Sequence, residues 1–255
     1  MKKLLIIFTL LTCCAILRAE PRVIHTLVAL CDNKYQGIVP VPATLGNGQD
    51  PKNNLYWGAM YGVKSYINRQ ENWKLVSTQK NPKDKILERV IFKHATKDVY
   101  IVADAYDGKH ITTTVKDFFE YAAANKKEAI KVKEVTLEAG GGAGLVVFVG
   151  HDAFMDGAIT TAEAKEPKQN TKRDAAVFAC KSKQYFGTPL GKTGIRPLVL
   201  TTGLMAPEAY NLLALANAWA ENKTAVQTHE AVAQAYNKYQ KCGIKPARNL
   251  FYTQQ

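Results

Sequence analysis

The chain has 255 residues, 47% of them hydrophobic and 22% charged. It is therefore long enough to bury a core without metal or disulfide staples, and too apolar to be mostly disordered. Its formal charge is +12, but the lysines are scattered, so no nucleic-acid motif emerges and only weak attraction to anionic envelope surfaces is expected.

MKKLLIIFTLLTCCAILRAE opens with Lys2 and Lys3, runs apolar from Leu4 to Leu17 and reaches the small Ala19. This is the layout of a secretory signal, and the run is short for a spanning helix. Residues 1–19 are expected to be removed, leaving a single domain, 20–255, in the periplasm or outside the cell. Cys13 and Cys14 raise a lipoprotein alternative, but they follow Thr12 and Cys13 where Gly, Ala or Ser is usual. Loss of Lys2, Lys3 and Arg18 lowers the charge from +12 to +9.

Beyond the leader, RVIHTLVAL (Arg22 to Leu30) is a β-rich apolar run and a candidate central strand. A long polar loop follows, punctuated by Pro40, Pro42, Gly46 and Gly48, long enough to form a wall or lid. NLYWGAMYGVKSYINRQ has near-helical apolar spacing, with Asn53 or Asn54 as its cap. WKLVST predicts a strand. ILERVIFKHA, from Ile86, fits strand or helix, and its first part favours helix. Val99 to Ala103 predicts a strand ending at Asp104, and Thr112 to Ala124 a helix.

KKEAIKVKE, from Lys126 to Glu134, stands out only as a basic cluster diluted by glutamate. GGGAG, from Gly140, precedes a strand instead of opening a helix, so it reads as a flexible lead-in loop and not a phosphate cradle. GLVVFVG, AAVFA and PLVLTT are three further strands. Two helices follow: one with Pro207 in its first turn, the other capped by Thr228 and closed by Gly243. A short strand or tail ends the chain. Alternating helices and almost wholly apolar strands predict an α/β protein: a mostly parallel sheet with helices on both faces, in three layers.

Ligands of such sheets gather at the carboxyl ends of the strands. Standing there are Cys31 and Asp32, Asp104, His151 and Asp152, Cys180, and Thr201 with Thr202. If the strands before His151 and Cys180 are parallel neighbours, about 4.8 Å apart, the two side chains emerge together. A thiol attacks as its thiolate, and a neighbouring His both favours that anion and supplies a proton. Three cysteines remain after the leader, Cys31, Cys180 and Cys242, an odd number for an exported chain. Cys31 and Cys242 are one candidate pair, leaving Cys180 free; the alternative sets Cys31 beside the site.

An apolar strand ending in His, VVFVGH, and then one ending in Ala-Cys, AVFAC, resembles the double signature of the caspase-like cysteine peptidases (caspases, legumains, gingipains and clostripain). The strand–helix alternation from Arg22 to Thr202 is similar to that group's fold, while motif likeness is confined to the two blocks. The resemblance implies a peptidase without cofactor or metal, with Cys180 as nucleophile, His151 as general acid, and a peptide or protein substrate. It also sets Asp32 where the group builds part of its primary specificity pocket, implying a basic side chain there. One departure stands out: where the group has Gly after the His, this chain has Asp152. Its carboxylate would repel a developing oxyanion, so Asp152 either orients His151 or belongs to different chemistry. Two other functions compete. One is a non-catalytic peptide- or protein-binding module on the same scaffold. The other is a hydrolase built on Asp32, Asp104 and Asp152, with a metal.

Overall fold

The structure is a computed structural model describing residues 20–159 and 173–254. The expected secretory leader lies outside the described residues. No helix among them is long and apolar enough to cross a membrane.

The sheet grows from β1 (Arg22–Ala29), buried on both faces. It pairs in parallel with β4 (Val99–Tyr106) on one side and β7 (Leu145–Val149) on the other. Next to β7 come β8 (Asp174–Phe178) and β9 (Arg196–Thr201), also parallel. β10 (Phe251–Tyr252) closes that edge antiparallel. At the other edge β3 (Ile86–His94) and β2 (Trp73–Lys83) add antiparallel strands, completing an eight-stranded sheet ordered β10-β9-β8-β7-β1-β4-β3-β2.

Side chains alternate across this sheet as strand geometry requires. Ile24, Val28, Leu145, Val147, Val149, Ala176 and Phe178 face one apolar layer. It is covered by α1 (Val63–Asn68), α4 (Ala209–Ala220), α5 (Ala225–Gln240) and α6 (Ile244–Leu250). Val23, Leu27, Val146, Phe148, Ala175 and Val177 face the other, under α2 (Ile111–Ala122), α3 (Ser182–Lys192) and a hairpin of β5 (Lys127–Val132) and β6 (Val135–Gly140). The three-layer α/β/α arrangement expected from the strand–helix alternation is therefore present.

Four local expectations need correction. Ile86–His94 is strand throughout: β3 lies between β2 and β4, and pairing on both sides overrides its helical spacing. The helix expected from Asn54 shrinks to Val63–Asn68. Before it the chain turns tightly, and a Cβ on Gly58 would lie 2.0 Å from the Lys52 carbonyl oxygen. Asn54 caps no helix; its side chain accepts from the Cys31 amide (3.1 Å) and donates to the Cys31 carbonyl (2.8 Å), tying this loop to the end of β1.

The basic cluster is the β5–β6 hairpin, with Ile130 and Val132 packed inward and Lys127 and Lys131 outward. Finally, α5 begins one turn earlier than Thr228. Thr224 accepts from the Gln227 amide at 3.2 Å, and Gln227 returns the bond to the Thr224 amide at 3.0 Å. This reciprocal cap satisfies two orphan donors. Thr224→Ala is expected to lower stability by about 1 kcal/mol, read as a shifted urea midpoint, whereas Ala at an uncapped position would leave it unmoved.

Candidate active site

β7 and β8 are parallel neighbours, in register from Leu145 opposite Asp174 to Val149 opposite Phe178. Gly150 extends the pairing by donating its amide to the Phe178 carbonyl at 3.2 Å. Carried on one further step, the register sets His151 beside Cys180. Leu145, Val147 and Val149, like Ala176 and Phe178, belong to the layer under α1 and α4, and His151 and Cys180 follow these runs two residues beyond the last paired positions. Gly150 is required between β7 and β1: a Cβ there would meet the Ala29 methyl at 3.0 Å.

Beyond Cys180 the chain turns sharply. Lys181 is left-handed (φ 49°), its amide bonds the Gly203 carbonyl at 2.8 Å, and α3 starts at Ser182. A left-handed lysine at a strand-to-helix turn is a strained conformation of the kind that persists where the surroundings over-determine it. Ser182 and Thr201 share a buried hydrogen bond of 3.0 Å that fixes the start of α3 against β9.

The His151 ring is held by a residue the sequence did not single out. Its Nε2 lies 2.7 Å from Asp156 Oδ2, and the same oxygen accepts the Gly37 amide at 2.9 Å. Asp156 thus orients His151 and clamps the long loop after β1 onto the loop after β7. The spacing, five residues on in a polar loop, gave no signal, since only the turn of Phe154–Gly157 brings the carboxylate back. The thiol of Cys180 accepts the Met205 amide at 3.4 Å. The imidazole and the thiol share no hydrogen bond. Among the described residues neither the Cys180 amide nor the Asp152 amide has an acceptor, leaving two N–H donors at these strand ends.

Asp152 is fully buried. Its Oδ1 accepts the Phe154 amide at 3.0 Å and its Oδ2 has no partner. Burial pushes its carboxyl up to about 7, helped by the nearby Asp156 charge and opposed by the Phe154 and Met155 amides. It does not orient His151, the first role considered for it, and its buried carboxyl is not offered to a substrate. Asp32 is also buried: Oδ1 accepts the Lys34 and Tyr35 amides (2.9 and 3.2 Å) and Oδ2 the Gln49 side chain (2.8 Å). It braces its own loop, a placement that argues against pairing with a basic substrate side chain.

Cys31 is buried and Cys242 exposed, and all three described cysteines are free, so the candidate Cys31–Cys242 pair is not formed. Burial pushes the Cys31 thiol up to about 11, with Asp32 adding and Tyr56 opposing, which makes it a poor nucleophile. Of the two alternatives, Cys31 sits near the site: burial raises the Tyr56 phenol, and the charges of both Cys31 and Cys180 add to it. Asp104 lies inside β4, bonded to Arg89 and His25, and not at the sheet edge. The carboxylate site on Asp32, Asp104 and Asp152 is therefore not assembled, and no metal-holding cluster occurs among the described residues.

Comparison with family models, with curated proteins and with solved structures finds no match for this chain.

Proposed function

We propose that this chain is an exported cysteine peptidase of the caspase-like kind, with Cys180 as nucleophile and His151 as general acid and base. The observation that supports the reading is the parallel, in-register pairing of β7 and β8, whose ends lead directly to His151 and Cys180. In this reading the Cys180 thiol passes its proton to His151 Nδ1 while the sulfur adds to the scissile carbonyl carbon. The carbonyl electrons move to oxygen, and the free amide of Cys180 is the donor for that oxyanion. As the C–N bond breaks, His151 returns the proton to the departing amine and an acyl thioester remains. Water, deprotonated by His151, cleaves the thioester and restores the thiol.

Two features support the assignment. Asp156 keeps the ring proton on Nε2 and favours the imidazolium that forms, leaving Nδ1 for the thiol. Asp152 replaces the expected Gly, yet its buried carboxyl stays largely neutral up to about pH 7 and so does not set a full charge beside the oxyanion. A binding module remains the second reading, favoured by the Met205 amide on the Cys180 sulfur.

The test is the pH dependence of Cys180 alkylation, followed by peptide-level mass spectrometry in the 20–255 chain and in His151→Ala. The expected result is rapid alkylation well below the ordinary thiol range, near 8.5, lost without His151. Ordinary titration in both proteins would favour the binding module.

A further inference from the structure

We propose, resting on the peptidase reading, that the substrate is an extended peptide with bulky apolar side chains about the scissile bond. The large hydrophobic side chains left exposed among the described residues are concentrated at this end of the sheet. Tyr35, Val39 and Met60 lie on the loop after β1, Met155 on the loop after β7, and Leu204 on the loop after β9. The remaining two, Leu75 and Val226, are on β2 and α5. Val39, Met60 and Leu204 are 88%, 67% and 68% exposed, which is costly for groups with no partner.

The hydrogen bonds of the site tie down the backbone next to these side chains. Leu204 adjoins Met205, whose amide bonds the Cys180 sulfur. Met155 adjoins Asp156, which holds His151. Tyr35 and Val39 flank Gly37, whose amide bonds Asp156. Met60 adjoins Tyr61, whose carbonyl accepts the Ala209 amide at 2.8 Å and so joins its loop to the start of α4, which follows the loop carrying Leu204. Each apolar group is thus within two residues of a bond that builds or frames the site.

The described acidic groups on the same loops are otherwise engaged. Asp32 and Asp152 are buried, Asp156 holds His151 and Gly37, and Asp50 accepts from the Lys52 amide and the Asn53 side chain. Glu208, at the head of α4, accepts from Gln240. Among the described residues, an apolar rim whose carboxylates are buried or already hydrogen-bonded favours a bulky apolar residue over a basic one.

The test uses peptidyl acyloxymethyl ketones carrying Leu, Arg or Asp next to the reactive carbon, on the 20–255 chain. The Cys180 thiolate displaces the carboxylate leaving group to form a thioether, and labelling at Cys180 is normalised to the exposed Cys242. The Leu probe is expected to label Cys180 at least about ten-fold faster than the Arg and Asp probes. Leu204→Ser and Val39→Ser should each slow the Leu probe about five- to ten-fold, with the rate of small-molecule alkylation by iodoacetamide unchanged. Faster labelling by the Arg or Asp probe, equal rates, or no effect of either variant would overturn the apolar substrate and keep the peptidase. If no probe outpaces labelling of Cys242, the peptidase reading itself fails.

Discussion

Asp104→Ala is expected to lower the free energy of unfolding by about 3–5 kcal/mol, a large part of the 5–15 kcal/mol typical of a domain. Arg89 grips Asp104 with two bonds, Nε to Oδ1 at 2.5 Å and Nη2 to Oδ2 at 2.7 Å. His25 joins at 3.0 Å through Nε2, while its Nδ1 accepts the Gly140 amide at 2.7 Å, which fixes the ring proton on Nε2. Arg89 also reaches Glu128 at 2.8 Å, and Glu128 accepts Lys83 at 2.6 Å. One buried charge network thereby joins β1, β2, β3 and β4 to the β5–β6 hairpin. Truncating Asp104 leaves a guanidinium that is only 3% exposed with Glu128 as its remaining carboxylate and orphans the His25 N–H.

The pH dependence has a definite sign. Burial alone would raise the Asp104 carboxyl, but Arg89 and His25 outweigh it and hold it down to about 2. Its contribution is therefore complete above the unfolded carboxyl range, near 4, and is lost as pH falls toward about 2. Urea melts at pH 3 and pH 6 check this: wild type should lose stability between them, and the variant should have lost this part of the slope. Unchanged midpoints in the variant would mean that the network contributes nothing net.

Asp152→Asn is expected to do the reverse and stabilise the fold by about 4 kcal/mol at pH 8. The folded carboxyl stays protonated up to about 7, whereas the unfolded one ionises near 4. Folding must therefore keep a proton that the unfolded chain gives up, and stability declines by about 1.4 kcal/mol for each pH unit across that interval. Above pH 7 both states are ionised and the slope vanishes. Asn preserves the acceptor for the Phe154 amide and cannot ionise, so its advantage should be negligible at pH 4 and grow until about pH 7. Parallel stability curves for the two proteins would sink the idea. In the native protein, ionisation of Asp152 would charge the buried turn next to His151.

Much of the architecture was legible in the chain because burial writes itself into composition. VVFVG and AVFA are apolar at every position since both faces of β7 and β8 are covered, and each run stops where the sheet stops. That is why His151 and Cys180 stood out as strand ends. The β5–β6 hairpin was legible in principle, in the alternation of Lys127, Ala129 and Lys131 with Glu128, Ile130 and Val132, but its charges obscured the period. β3 was not legible, because its spacing suited either periodicity and only its neighbours decide.

The sequence by itself determined the layered α/β class and the positions of the central strands. Tertiary structure alone decided what the polar residues near them face. Asp104, Asp32 and Asp152 read alike as polar groups after apolar runs, yet one is locked into a charge network, one braces a loop, and one is buried with an oxygen unsatisfied. Asp156, indistinguishable from any loop carboxylate, became the partner of His151 when a turn folded it back. The physical reason is that strand burial depends on local apolar content, whereas the partner and solvation of a single charge depend on groups distant along the chain and adjacent only once the sheet has formed.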